Sequence, residues 1–552
     1  MIDGCVARPQ EDIDRYRAAG HWTGEPLGSA LRRWAGAHRD RTALVGAGRR
    51  ITYAELDAWT DRLVVGLRRL GIGPGERMVV QLPNVPDFVA VCFALFRIGA
   101  VPVFSLPAHR SYEIRHLCEL SEAVAHVVPG SKRGFDHVEM SAALRKEIPS
   151  VRHTLVVGEP RPGAPSDIVP LDELAAGVAP QPAADAYLPD TTDVAFFLLS
   201  GGTTALPKLI PRTHDDYGYQ TRATAEVCGL GPDTVYLAVL PVAFNFTWGC
   251  PGILGTLHAG GTVVFAPDPS PDTCFPLIAA ERVTLTSVVP TVAHLWMSGA
   301  ERDRHDLSSL ECLQIGSAKL HRHVAEQVRP VLGCALQQVF GMAEGLLTMT
   351  RRDDPDDVVL ATQGRPVSPD DEIRVADPVT GVPVAPGEVG ELVTRGPYTL
   401  CGYYKAPEHN RSAFTDDGFF RSGDLVRLTA RGDLVVEGRV KDVVIRGGDK
   451  ISATELEGHL AHHPRIGQAA VVAVPDPLLG EAICACVMPA GDPPGLAELR
   501  RMLKNRGVAD FKLPDLLEIY DAFPLTGLGK VDKKALAADA AGRRTARDEE
   551  DH

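Results

Sequence analysis

From residue 29 to residue 105, helical periodicity alternates with short apolar runs. Arg50-Ile51-Thr52-Tyr53 leads into Ala54-Glu55-Leu56, a strand passing into a helix. Met78-Val79-Val80-Gln81-Leu82 reads as a buried strand, and Asn84-Val85-Pro86-Asp87 then opens an apolar helix ending at Gly99. This is the rhythm of an α/β domain. A second α/β run follows Asp193, with strands predicted at Val194–Leu199, Val263–Phe265, Ser287–Val289 and Cys312–Ile315. Between the two runs, Pro160 to Pro189 is rich in Pro, Ala and Asp and reads as surface connection. Around Asp371–Arg395 the period shortens to strands and Gly-Pro turns, which predicts a small β unit. After Gly438 the pattern changes again: a helix over Glu455–His462, a strand over Ala469–Val474 and a helix over Leu496–Arg506. A domain boundary is therefore placed near Arg439–Lys441. From Ala537 onward Ala, Arg, Asp and Glu dominate, and 537–552 reads as a frayed tail. No internal repeat is visible.

Composition narrows the class. At 552 residues the chain exceeds one compact core. Its 45% hydrophobic and 23% charged content is that of a globular protein. A formal net charge of -14 argues against bulk nucleic-acid binding, whose footprint is basic. Met1 to Arg15 has no apolar core of signal-peptide length, and the most apolar stretch, Phe88 to Phe96, is about half of what spans a bilayer. A cytoplasmic protein with no membrane partner is expected. The eleven cysteines are scattered from Cys5 to Cys486, so buried free thiols are expected rather than a disulfide framework.

Four segments carry candidate chemistry. Ser200-Gly201-Gly202-Thr203-Thr204-Ala205-Leu206-Pro207-Lys208 follows a predicted strand. Its small residues let backbone N–H groups approach an anion, its hydroxyls add donors, and Lys208 adds a point charge. It is not a Walker A loop, which has Gly before Lys and Ser or Thr after it. Taken alone, it is either a phosphate cradle or a polar turn. Gly418-Phe419-Phe420-Arg421-Ser422-Gly423-Asp424 ends in a carboxylate able to accept both hydroxyls of a ribose, or merely in a turn-forming Asp. Glu437-Gly438-Arg439-Val440-Lys441-Asp442 precedes Ile445-Arg446-Gly447-Gly448. Pro524-Leu525-Thr526-Gly527-Leu528-Gly529-Lys530 places a lysine on a glycine-flanked loop, able to reach another domain's site or to sit in solvent.

Together, in this order and spacing, these segments resemble the adenylate-forming superfamily of acyl-CoA synthetases, peptide-synthetase adenylation domains and firefly-type luciferases. The resemblance runs from about Thr23 to Leu536. Within the superfamily the chain is most similar to stand-alone aryl-acid AMP ligases, the 2,3-dihydroxybenzoate and salicylate activators of siderophore pathways. Pro211-Arg212-Thr213-His214, the stretch Leu336 to Gly345 ending Phe340-Gly341-Met342-Ala343-Glu344-Gly345, and Arg395-Gly396-Pro397-Tyr398-Thr399 carry that likeness.

The resemblance implies a large N-terminal domain, 1–438, of two α/β subdomains plus a small β unit, holding the ATP and aryl-acid sites. It implies a small mobile α+β domain, 439–552, carrying the catalytic lysine. It implies two half-reactions. The carboxylate attacks the α-phosphorus of ATP and expels pyrophosphate, and a pantetheine thiol then displaces AMP. Charge spreads over oxygens in both, so cationic donors and Mg²⁺ should supply most of the stabilisation. By likeness, Lys530 bridges carboxylate and α-phosphate, Asp424 binds the ribose hydroxyls, and Arg439 assists at ribose or phosphate. Ser200, Gly201, Gly202, Thr203, Thr204 and Lys208 hold the departing pyrophosphate. Glu344 is the metal contact, an oxygen ligand suited to a hard ion. Gly316, Ser317, Ala318 and Val339, with Phe340, Gly341, Met342 and Ala343, line the nucleotide side. Lys441 is the hinge, and Gly447 and Gly448 flank the thiol tunnel. Two departures stand out: Ala205 replaces a glycine usual in the phosphate loop, and Ser317 stands where the aryl subgroup has Gly.

For the acid, Asn245 stands where amino-acid activators carry an Asp for the substrate ammonium. An amide supplies no compensating charge but can hydrogen-bond a phenol or ring nitrogen. Phe244, Asn245, Phe246, Cys250, Ser317, Val339 and Leu347 are the predicted aryl slot. Phe244 replaces the subgroup's usual His. Cys250 and Leu347 resemble salicylate activators, leaving less room for a 3-hydroxyl than the Ser and Val of dihydroxybenzoate activators. A salicylate-like acid is the expected substrate, with 3-hydroxypicolinate, a quinaldic or quinoxaline acid, or a substituted naphthoate as alternatives. The thiol is expected in trans, on an aryl carrier protein or alternatively on coenzyme A. The chain has no carrier serine motif and no H-H-x-x-x-D-G, since His462-His463 runs into Pro464. A nucleotide-binding protein without ligase activity is the competing class, opposed by the joint presence of Lys530, Asp424, Glu344 and Arg439.

Overall fold

The computed structural model describes residues 2–130, 135–178, 188–200, 206–446, 449–476, 479–506, 508, 510–527 and 529–550. Two parallel-rich sheets form the body of the large domain. A seven-stranded sheet runs Val169–Pro170, His153–Val157, Ala125–Pro129, Arg77–Val80, Val101–Phe104, Val194–Leu199, Leu209–Thr213. A nine-stranded sheet runs Arg365–Pro366, Leu347–Met349, Ala335–Gly341, Cys312–Gly316, Leu285–Val288, Val235–Ala238, Thr262–Phe265, Thr42–Gly46, Arg49–Thr52. Its far edge comes from the start of the chain, so the two subdomains are stitched together by sequence order.

The predicted strand-to-helix passage at Thr52 is a capping box. The Thr52 hydroxyl accepts from the Glu55 backbone, and the Glu55 carboxylate accepts from the Thr52 N–H. Helix Pro86–Ile98 starts with Pro in its first turn and stops at Gly99, whose φ of 72° is the left-handed region glycine tolerates. All thirteen of its residues are buried, ten of them in one apolar cluster that joins side chains of both sheets. That burial explains why its sequence is apolar on every face. Even Arg97 is enclosed, with its charge met by Asp57 and Asp61.

The small β unit is larger than Asp371–Arg395. Glu372–Ala376 and Gly390–Arg395 are joined by Phe420–Leu428 and Leu434–Arg439 in an all-antiparallel four-stranded sheet. That sheet ends at Arg439, a turn occupies Val440–Asp442, and a new sheet begins at Val443. The new sheet pairs Val443–Arg446, Asp449–Ser452, Ile466–Asp476 and Gly480–Pro489 antiparallel, and Leu516–Ile519 joins in parallel. Helices Ala453–Leu460 and Leu496–Asn505 belong to the same small domain. Predicted strand and helix ends differ from these by one to three residues; Ser287–Val289, for example, is Leu285–Val288. Cys484 and Cys486 lie on one face of their strand with sulfurs 3.9 Å apart, both buried, and all eleven cysteines are free thiols.

One expectation is overturned. The tail from Ala537 is not frayed: it continues a helix, Lys533–Glu550. Leu536 and Ala540 are fully buried against Ala470, Val472, Cys484, Tyr520 and Phe523. Asp539 accepts from the Tyr520 hydroxyl at 2.8 Å, and Arg544 pairs with Asp476 at 2.7 Å. The segment is polar in composition because only one stripe of it is needed for docking. Among the described residues no helix is long and apolar enough to cross a membrane.

Replacing Leu536 by Ala removes a buried side chain from this contact and should destabilise the small domain by about 2–5 kcal/mol. Chemical denaturation followed by a probe in that domain measures it. A loss below about 0.5 kcal/mol would mean that the helix does not dock.

Candidate functional site

The site is assembled where the two large sheets, the four-stranded sheet and the small domain meet. Asp424 and Arg439 are cross-strand partners in the register of Phe420–Leu428 and Leu434–Arg439. The Arg439 Nε donates to the buried Asp424 carboxylate at 2.8 Å. Burial pushes the Asp424 carboxyl up, and the Arg439 charge opposes this. Arg439 is itself held more firmly protonated, chiefly by Asp424.

Lys530 comes to the same place from the small domain. Its loop is a tight hairpin: Thr526 N–H donates to the Lys530 carbonyl at 2.7 Å, Lys530 N–H to the Thr526 hydroxyl at 3.2 Å, and Gly529 has φ 76°. The loop is docked on the large domain, where the Thr291 hydroxyl donates to the Gly529 carbonyl at 3.3 Å. The Lys530 ammonium lies 6.0 Å from the centre of the Phe244 ring, at the outer limit of a cation–π contact. Burial first, and then the Arg439 charge, bring the ammonium down to about 8, with Asp424 acting the other way.

Glu344 sits on the turn after strand Ala335–Gly341. Its Oε1 accepts from the Tyr403 hydroxyl at 2.8 Å, and its carbonyl accepts from Leu400 N–H at 2.7 Å. Burial raises its carboxyl, with Tyr403 the largest opposing influence. Lys208 is 5.7 Å from the Tyr403 ring centre, so the cations and carboxylates share one rim. Ser200 and Lys208 close the neck of the first loop with two hydrogen bonds, Ser200 N–H to the Lys208 carbonyl and Lys208 N–H to the Ser200 hydroxyl, both 3.0 Å. Gly201, Gly202, Thr203, Thr204 and Ala205 lie outside the described residues, as do Gly447 and Gly448. Lys441 falls in the turn between the last two sheets.

The predicted aryl-slot residues converge. Phe246, Cys250, Val339 and Leu347 are buried in one apolar cluster with Phe244 packed against it. Gly316 is paired with Val339 across parallel strands. A Cβ there would come within 2.6 Å of the Val339 carbonyl and 3.1 Å of the Phe246 ring, so only glycine keeps this wall in place. Gly341 is similarly restricted, by Leu347 at 2.3 Å. Ser317 has φ 70°: it keeps the glycine-like backbone of the subgroup while carrying a side chain. Asn245 opens the short helix Asn245–Gly249, which Trp248 anchors edge-on against Phe88 and Phe104. Its Oδ1 accepts from the Tyr217 hydroxyl at 2.7 Å, and among the described residues nothing accepts from its Nδ2. Ser317 and Ala318 follow strand Cys312–Gly316, Phe340 lies near the end of strand Ala335–Gly341, and Met342 and Ala343 follow it.

Several participants carry no motif signal of their own. Tyr403, Tyr217, Thr291 and Arg212 were not assigned roles from sequence. Arg212, in the Pro211–His214 likeness segment, is fully buried and links all three such segments. Its Nε donates to Asp216 at 3.1 Å, Nη1 to the Ala343 carbonyl at 2.9 Å, and Nη2 to Gln220 at 3.0 Å and the Tyr398 carbonyl at 3.1 Å. The signal was there: an Arg between Pro and Thr at a strand end, four residues before an Asp.

Substituting Arg212 by Met should cost about 3–5 kcal/mol, because Asp216 stays buried with its cation gone. Urea unfolding of the large domain measures this. A change under about 1 kcal/mol would show the guanidinium to be dispensable.

The AMP-binding enzyme model matches residues 31–404, and the AMP-binding enzyme C-terminal domain model matches residues 455–530. The chain is 49% identical to a 2,3-dihydroxybenzoate-AMP ligase of Bacillus subtilis, over 97% of each chain. It is 48% identical to a salicylyl-CoA synthase / salicylate adenylyltransferase of a Streptomyces species, over 98% of each. The apo structure of Mycobacterium smegmatis MbtA superposes with a TM-score of 0.74 at 47% identity, covering 97% of this chain and 98% of that one. With its two matched regions, its full-length relatives and its docked lysine loop, this chain belongs to the AMP-binding, adenylate-forming enzyme family.

Proposed function

We propose that this protein is an aryl-acid AMP ligase: it joins a salicylate-like carboxylic acid to AMP at the expense of ATP and passes the aryl group to a thiol. The observation that carries the reading is the meeting of Lys530 with Asp424, Arg439 and Phe244, a catalytic cation and a ribose-binding pair beside an apolar slot. Residues 1–438 are taken as the adenylation domain and 439–552 as the small domain, with Lys441 at the hinge.

The chemistry follows from the charges. Attack of a carboxylate oxygen on the α-phosphorus forms one P–O bond and breaks that to pyrophosphate. Lys530, still mostly an ammonium at neutral pH, would sit between carboxylate and phosphate and reduce their repulsion as they approach. Asp424, oriented by Arg439, would accept the ribose hydroxyls. Ser200–Lys208 would retain the pyrophosphate oxygens. Glu344 fits a Mg²⁺ contact: one oxygen is engaged by Tyr403, and a single carboxylate beside phosphate oxygens is how this ion is usually held. No group of three His, Cys, Asp or Glu side chains among the described residues makes an all-protein cage. When bound, the ion would neutralise phosphate charge. In the second half-reaction the thiol would enter past Gly447 and Gly448 once the small domain has turned about Lys441.

The slot favours a flat acid without an amine. Asn245 offers Nδ2 donors, because Tyr217 occupies its Oδ1, and these suit an ortho hydroxyl or ring nitrogen. Cys250 is fully buried, and its sulfur faces the Gln220 amide at 3.5 Å. A 3-hydroxyl pressed against this wall and Leu347 would lose water and gain little, a cost of about 1–3 kcal/mol. The acceptor is read as an aryl carrier protein in siderophore or antibiotic biosynthesis. Free coenzyme A is the second reading, favoured by the relative named as a salicylyl-CoA synthase. Acyl transfer measured to each thiol separates them.

Three outcomes follow. In ATP–pyrophosphate exchange, salicylate should outrun 2,3-dihydroxybenzoate, and a tenfold preference for the latter over every monohydroxy or heteroaromatic acid would overturn the slot reading. Exchange should also fall as pH rises through about 8, where Lys530 loses its proton. Lys530→Ala should lower the rate by about 10²–10³-fold with an unchanged unfolding midpoint, and normal exchange in that variant would remove the assigned role.

A further inference from the structure

The aryl-acid slot is flanked by a buried polar chain that neither the motifs nor the reaction assigns. Leu347, whose side chain forms the slot wall, donates its backbone N–H to the Tyr398 hydroxyl at 3.2 Å. That hydroxyl in turn donates to Asp371 Oδ2 at 2.5 Å. Tyr398 is fully buried, inside the same apolar cluster as Phe246, Cys250, Val339 and Leu347. Its carbonyl is held by Arg212 at 3.1 Å. The Asp371 Oδ2 also accepts from Ser368 N–H at 3.2 Å, while Oδ1 is buried without a hydrogen-bond partner among the described residues. That unpartnered oxygen lies against Gly396, where any Cβ would come within 2.3 Å of it. A tyrosine fixed at both ends is thus stretched between the Arg212 centre and the slot wall, and one carboxyl group sets where its hydroxyl points.

We infer that Tyr398 and Asp371 are positioning residues for the aryl acid: they hold Leu347 at the depth that determines which ring substituents the slot admits. The inference rests on the aryl-acid reading above. Among the described residues the side-chain hydrogen bonds of Tyr398 and Asp371 go to one another, to Leu347 and to Ser368. The Tyr398 backbone, which Arg212 holds, is left in place by a side-chain substitution, so the effect should fall on the acid and not on ATP.

The chain of contacts also gives this wall a pH dependence. Burial, above all, raises the Asp371 carboxyl to about 7, with the Tyr398 hydroxyl and Ser368 N–H opposing and the neighbouring Asp370 adding to it. The other groups around it are Tyr219, which bonds Ser368, and Arg351 and Arg365, which line the same surface depression as Asp371. The sign follows: a carboxyl raised above its unfolded value favours the ordered structure while protonated, and that contribution fades as pH climbs towards and past about 7. The buried arrangement as a whole is therefore expected to be favoured below that pH, while the Tyr398 bond taken singly favours the ionised carboxyl.

The test uses the full-length enzyme and three readouts. First, protection of the Leu347 amide against hydrogen exchange, which needs no substrate, should drop about tenfold in Tyr398→Phe; in the parent protein it should drop between pH 6.5 and 8.5 relative to Asp371→Asn at the same pH. Second, the KM for the best aryl acid should rise about tenfold in Tyr398→Phe with the KM for ATP within twofold of the parent. Third, the pH dependence of the aryl-acid KM should flatten in Asp371→Asn, whose amide still accepts from Tyr398 but does not ionise. Unchanged Leu347 protection in both variants, or equal effects on the KM for acid and for ATP, would overturn the inference. If Tyr398→Phe unfolds, Asp371→Asn decides alone through the pH comparison. An enzyme that takes no aryl acid at all would sink the functional reading, while the exchange measurement would still judge the chain of contacts.

Discussion

Burying one guanidinium is the constraint on which the rest of this site depends. Arg212 is fully enclosed, and a charge in that position is tolerable only if every donor finds an acceptor. Its partners lie in the helix beginning at His214, in the turn carrying Glu344 and in the segment carrying Tyr398, three parts of the chain far apart in sequence. Its flat face lies 4.7 Å from the Tyr217 ring, and Tyr217 holds Asn245. Gln220, another partner, holds the Gly249 carbonyl. The turn that carries Glu344 and the apolar pocket around Asn245 are therefore set by the same cation. Satisfying its hydrogen bonds forces the two halves of the site into register.

The reacting end obeys a different logic. Asp424, Glu344, Arg439, Lys208 and Lys530 crowd one rim, and burial pushes each of the two carboxyls upward and the lysine downward. Such a cluster is costly without the charged substrates it is built to receive, which is the usual condition of a site preorganised for phosphoryl chemistry. It also suits a lysine delivered by a separate domain. Among the described residues Lys530 is held by its hairpin, by the Thr291 bond to Gly529 and, at the 6.0 Å limit of a cation–π contact, by the Phe244 ring, all of which can be surrendered without exposing a core. Phe244 matters here, since a ring in place of the usual histidine attracts the ammonium without a titrating group of its own.

Relatives of near-equal identity are named for dihydroxybenzoate and for salicylate, so similarity over the whole chain does not choose the acid. On the proposed reading, the choice lies in a handful of wall residues and in what fixes them. Gly316 and Gly341 bring the backbone close enough to narrow the slot, Ser317 keeps a left-handed backbone despite its side chain, and Leu347 is tied through Tyr398 to Asp371.

The periodicity of apolar positions was enough to read the α/β class, the buried helix Pro86–Ile98, the small β unit and the change of architecture after Gly438, because these depend on local patterns of burial that the side chains carry themselves. Motif order was enough to bring Asp424, Arg439, Glu344 and Lys530 into one hypothesis, because phosphate and ribose chemistry restricts which residues can stand there. The docked helix Lys533–Glu550 was missed: a single buried stripe of Leu536 and Ala540 is too thin a signal in a polar segment. Equally invisible were the partners of Arg212, the Tyr403 bond to Glu344 and the Asp371–Tyr398–Leu347 chain. Each joins residues whose separation in sequence is arbitrary, and only the folded backbone brings their donors and acceptors within hydrogen-bond distance.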